Sequence, residues 1–82
     1  MAKYDPLRDF LVNEKSNELT LTFKQIEIVI WSRLPLSAYE LRQWWANAKS
    51  WRHVQTAAWD DAGWRVNKVN LARREVTFCR KS

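Results

Sequence analysis

An α+β fold of winged helix-turn-helix type is what this 82-residue sequence predicts. Three observations carry the prediction. Helix-start signatures at Asp5-Pro6, Thr22–Gln25 and Ser37–Glu40 each precede apolar residues at helical spacing. A short alternating run, Leu19–Phe23, precedes the second of them, and two alternating runs, Trp64–Val69 and Glu75–Arg80, close the chain as a hairpin. The resulting order is helix, strand, helix, helix, short helix, strand, strand. That is the winged-helix order with one extra helix before the wing, so three to four short helices and a three-stranded antiparallel sheet are expected. Residues 1–82 are read as one domain.

Each element has its own reason. Asp5 caps the first helix with Pro6 at its first position, and Leu7, Phe10 and Leu11 form its inner stripe. Thr22 and Gln25 form a capping box, so the second helix follows the first strand without a loop and runs from Phe23 to about Ser32. Its inner face is Phe23, Ile26, Ile30 and either Val29 or Trp31. After Leu34-Pro35-Leu36 a second capping box opens a third helix, Ser37 to Ala48, whose stripe is Leu41, Trp44, Trp45 and Ala48. Lys49 to Val54 reads as a loop or frayed end. Gln55 to Ala62 is a fourth short helix, closed by Gly63 in left-handed geometry. In the tail Trp64, Val66, Val76 and Phe78 face inward. The connection Asn70–Arg74 lacks glycine and leaves the turn type open.

Composition narrows the function. One cysteine, Cys79, and one histidine, His53, permit neither an internal disulfide nor a structural zinc site, so no cofactor or metal is expected. Stability must come from concentrated aromatics, with a homodimer as one further source. No apolar run approaches the ~20 residues of a membrane span. Asp5, Arg8 and Asp9 stand where a signal peptide would be apolar, so a cytoplasmic location is expected. Charge is unevenly distributed. Residues 1–41 carry five basic side chains against six acidic, and residues 42–82 carry nine against three. This asymmetry points to a polyanion, and with a winged helix DNA is favoured over RNA.

The candidate nucleic-acid site has two parts. The outer side of the third helix and the segment behind it offer Tyr39, Arg42, Gln43, Asn47, Lys49, Ser50, Trp51, Arg52 and His53. Arg and Gln can pair bidentately with base edges, and Asn, Lys and Ser serve phosphates or bases. A solvated helix face is the competing reading. The wing offers Arg65, Arg73 and Arg74, with Lys68, Arg80 and Lys81 beside them, as phosphate contacts or as a charged guard on a sheet edge. Of the six tryptophans, Trp44, Trp45, Trp59 and Trp64 are expected to share one core. Trp51, set among cations, and Trp31 remain for function. No nucleophile elbow or phosphate loop is present, and an enzyme is not expected. The alternative function is a protein-interaction module, such as a mobile-element inhibitor docking on a host enzyme. A pocket clamping one flipped base between tryptophans is a third.

The stretches Tyr4-Asp-Pro-Leu7, Leu21–Glu27, Leu34–Ala38, Trp44–Asn47, Ala58-Trp59, Ala62–Trp64 and Val76–Phe78 together resemble a small bacterial and mobile-element domain family without an assigned activity. The resemblance covers nearly the whole chain. It implies a real folded domain and supplies no catalytic residues. It also implies a glycine where Trp31 stands, so Trp31 departs from the pattern.

Overall fold

The computed structural model describes residues 3–47 and 53–81. Among the described residues, four α-helices and a 3-10 turn cover one face of a three-stranded antiparallel sheet. In chain order they are α1 Asp5–Val12, β1 Glu18–Thr22, α2 Phe23–Ile30, α3 Leu36–Glu40, the 3-10 turn Arg42–Trp45, α4 Val54–Asp61, β2 Trp64–Asn70 and β3 Glu75–Arg80. The sheet order is β1-β3-β2, so β3 is central. No helix among the described residues is long and apolar enough to cross a membrane.

The capping box at the β1–α2 junction forms as expected. Gln25 N–H donates to Thr22 Oγ1 at 3.0 Å, and Thr22 N–H donates to Gln25 Oε1 at 2.8 Å. Phe23, Ile26 and Ile30 are buried as the helical stripe requires, and Val29 is half-buried. Trp64, Val66, Val76 and Phe78 all face the core. Strict alternation would turn Lys68 inward and Val69 outward. A register shift between Val66 and Lys68 reverses both, pairing Lys68 with Thr77 and Val69 with Val76. The outer sheet face is polar, with Thr20 and Thr77 hydroxyls bonded at 2.9 Å.

The core is aromatic. Trp45 stacks between Phe23 (4.9 Å between centroids) and Trp59 (6.0 Å), and Trp59 reaches Phe78 at 5.6 Å. Trp44 is half-buried, edge-on to Trp45 at 4.6 Å and to Tyr4 at 6.0 Å. Each fully buried indole N–H has a partner, as a low-dielectric interior demands. Trp45 donates to Ala38 C=O at 2.9 Å, Trp64 to Leu11 C=O at 3.0 Å and Trp59 to Asn47 Oδ1 at 3.0 Å. The four tryptophans expected in one core therefore pack together or against it.

Three expectations need correction. Asp5 is the first residue of α1, not its cap; Tyr4 precedes the helix, and Asp5 pairs with Arg8 at 3.7 Å. In the same helix Phe10 is partly exposed while Leu7 and Leu11 fill the inner stripe.

The continuous third helix Ser37–Ala48 does not form. The helix starts at Leu36 without a side-chain cap and ends at Glu40, where Leu41 turns extended at φ −123° and ψ 120°. The break lets the Trp45 indole reach back to Ala38 C=O, a carbonyl that a continuous helix would use internally. Side chains of α4 hold the following backbone: Gln55 Nε2 donates to Trp44 C=O (3.2 Å) and Thr56 Oγ1 to Ala46 C=O (3.1 Å). Tertiary bonds to α4 thus override the helical wheel.

The choice left open on the inner face of α2 is decided by Trp31. It terminates α2 in left-handed geometry at φ 59° and is 91% exposed, so Val29 takes the inner place.

Candidate nucleic-acid interface

Breaking the third helix scatters the face it was to present. Tyr39 stays on α3 and turns toward the β2–β3 connection. Its hydroxyl donates to Glu27 Oε2 at 2.8 Å, and the Arg74 guanidinium lies 5.4 Å from its ring centre. Burial, then the bond to the Glu27 carboxylate, holds the Tyr39 phenol above its ordinary value. Arg42 swings to the other flank of the hairpin and donates to Val69 C=O at 2.6 Å. Gln43 and His53 line a shallow pocket with Leu41, Trp44 and Gln55. Lys49, Ser50, Trp51 and Arg52 lie outside the described residues.

Asn47 has an internal task. Its Oδ1 accepts from the Trp59 indole (3.0 Å) and from Val66 N–H (2.9 Å), and its Nδ2 donates to Val66 C=O (2.8 Å). The amide that could have read a base is occupied within the fold.

The hairpin tip is where positive charge gathers. Leu71 C=O accepts from Arg74 N–H at 3.3 Å, and Asn70 Oδ1 accepts from Arg73 N–H at 3.0 Å. Arg74 takes φ 55°, the left-handed geometry that a missing glycine left open. It is fixed there because its carbonyl accepts Phe23 N–H (2.8 Å), an unpaired donor at the start of α2.

On one flank a groove of about 740 Å³ opens between the tip and α2–α3, with Lys24, Arg33 and Arg74 on its walls. Its acids are Glu27 and Glu40. Glu27 Oε2 already accepts from Leu34 N–H (2.9 Å) as well as from Tyr39. On the other flank a groove of about 430 Å³ carries Arg42, Lys68 and Arg73, with Glu75 beside Arg73 at 3.3 Å. Arg65 projects from the outer face of β2, across from Cys79.

Sequence reasoning missed Lys24 and Arg33. They sit in the half of the chain whose summed charge is slightly acidic, and only the fold brings them to the tip. The signal was present on α2, where Lys24 stands opposite the inner stripe. Arg80, in contrast, is structural. It donates to Glu14 C=O (2.6 Å) and Ser16 C=O (3.0 Å), and its guanidinium covers Trp64 at 4.7 Å. Lys81 pairs with Asp60. Among the described residues no three His, Cys, Asp or Glu side chains gather as a metal site would need.

Comparison with known families gives one match. A family model described as a domain of unknown function, DUF7662, fits residues 4–82. No curated protein and no solved structure matches the chain.

Proposed function

Since the chain belongs to the DUF7662 family, whose function is open, we propose from its own geometry that it is a small nucleic-acid-binding domain. In this reading it is winged-helix-like and grips the phosphate backbone with its hairpin. The observation that carries the proposal is the clustering of Lys24, Arg33 and Arg74 on one flank of the tip and Arg42, Lys68 and Arg73 on the other. Six cations face three carboxylates there, and two of the three, Glu27 and Glu75, are already engaged. The sheet order β1-β3-β2, with the hairpin as wing, supports the winged-helix comparison.

The contact differs from the usual one in that motif. Five residues of α3 make about 7.5 Å of helix, too little to lie along a major groove and read several bases. Arg42, Arg73, Arg74 and Arg65 act as phosphate ligands, Tyr39 as the platform beneath Arg74, and base reading by Asn47 drops out.

The test is fluorescence anisotropy with labelled oligonucleotides across a salt series. Each phosphate contact contributes a log–log slope of about −0.9 for duplex and −0.7 for single strands. The variant Arg73→Ala/Arg74→Ala is expected to flatten the slope by roughly two contacts' worth. Lys24→Ala/Arg33→Ala should do the same. Salt-independent binding, or none at low salt, refutes the proposal in favour of a protein-docking module.

A further inference from the structure

We infer that Trp31 is a stacking platform for an unpaired nucleobase, which makes single-stranded nucleic acid the preferred ligand of the hairpin end. The inference rests on the nucleic-acid reading above.

Two independent costs mark Trp31. The first is exposure. At 91% exposed it forgoes nearly all the burial that an indole can contribute, while Trp45, Trp59 and Trp64 are almost fully buried. The second is conformation. Trp31 occupies the left-handed position of a Schellman motif, its N–H on Ile28 C=O at 3.4 Å and Ser32 N–H on Glu27 C=O at 3.2 Å. Glycine fits that place without strain; a bulky L-residue at φ 59° does not. Stability alone would select neither the residue nor its setting, and strain of this kind accompanies function.

Position supplies the ligand. Lys24, Glu27 and Trp31 follow one another along α2 at helical spacing, and Arg33 is two residues beyond Trp31. Lys24, Glu27 and Arg33 line the larger groove with Arg74, so Trp31 lies in the chain between residues of that groove. Ile28, 68% exposed, sits within a turn of Trp31 and extends the apolar surface. A cationic track with an exposed ring beside it is how single strands are held: phosphates on the cations, a base on the ring. In a duplex the bases are already stacked and present edges only. The cations of the groove, Lys24, Arg33 and Arg74, also favour a polyanion over an apolar protein surface.

The experiment compares anisotropy titrations of labelled oligodeoxythymidylate and of a duplex of equal length. The proteins are wild type, Trp31→Gly, Trp31→Phe and Arg73→Ala/Arg74→Ala, each with a thermal melt. Trp31→Gly should weaken single-strand binding by roughly 5- to 150-fold, the range for losing one stacked base, and duplex binding by less than about 2-fold. Trp31→Phe should retain most of the affinity. Glycine relieves the strain, so Trp31→Gly should melt higher than wild type, and its loss of binding cannot be unfolding. If Trp31→Gly binds the single strand like wild type while the arginine variant does not, stacking is refuted and the phosphate reading stands. Equal losses on both ligands also refute stacking. No binding by wild type at low salt, with capture of a protein that depends on Trp31, overturns both.

Discussion

Replacing Asn47 with alanine removes three hydrogen bonds with one truncation. The Trp59 indole N–H loses its acceptor, and Trp59 itself is only 1% exposed. A buried donor left unpaired costs about 1–3 kcal/mol. Val66 N–H and C=O lose their partners as well, and water entering the vacated space offsets part of that. At about 0.5–1.5 kcal/mol for each of these bonds, the whole change is roughly 2–5 kcal/mol. A chain of 82 residues has roughly 4–12 kcal/mol in total. Asn47→Ala should therefore shift the urea midpoint to much lower concentration at nearly constant slope. Asn47→Asp keeps both acceptor bonds but sets a carboxylate oxygen against Val66 C=O, and should fall between the two. Unfolding followed by tryptophan fluorescence measures the effect, with anisotropy on the same samples. If Asn47→Ala loses less than about 0.5 kcal/mol, the clamp is not holding the fold. If it stays stable yet loses nucleic-acid affinity, Asn47 reads bases as its position in the sequence first indicated.

Other outcomes follow from the same geometry. Arg80→Ala should destabilise by about 1–2 kcal/mol, from the part-buried Glu14 carbonyl left without its donor and a lost cation–ring contact, with little change in nucleic-acid affinity; chemical denaturation and anisotropy together check it. Gly63→Ala should cost about 1 kcal/mol through its φ of 85° alone, because a Cβ there meets nothing within 4 Å. Its midpoint should therefore move down where that of Trp31→Gly moves up. Tyr39 titrates above its ordinary value when folded, so the folded state favours the phenol. That contribution is complete below the unfolded value of about 10 and is lost as pH rises through the folded one. Melts above pH 10 should fall more steeply for wild type than for Tyr39→Phe.

Much of the fold could be read from local pattern. Thr22 and Gln25 announce the start of α2, Gly63 announces the end of α4 with its φ of 85°, and the inward residues of β2 and β3 follow from alternation. Local pattern failed where distant groups decide. The wheel joining Leu41, Trp44, Trp45 and Ala48 is sound as a helix, yet Gln55 and Thr56 capture the carbonyls of this segment. That one break moved Arg42 and Tyr39 to opposite flanks of the hairpin and turned the Asn47 amide onto Trp59 and Val66. Trp31 was ambiguous because apolar residues are expected inside; the family resemblance implied a glycine there, and its backbone angle gives the physical reason. Lys24 and Arg33 joined the site through tertiary proximity, which a count of charge along the chain cannot register.

The hairpin tip has a thermodynamic consequence. A slack hairpin must be ordered when it meets a ligand, a loss of entropy that lowers affinity. Here Arg74 C=O is fastened to Phe23 N–H, Arg73 N–H to the Asn70 side chain, and the Arg74 guanidinium rests on Tyr39. The backbone that carries the cations is already in one shape before any partner arrives. On the proposed nucleic-acid reading, association at this end should therefore show a small heat-capacity change and little ordering entropy, its favourable term coming instead from ions released by the nucleic acid into solvent.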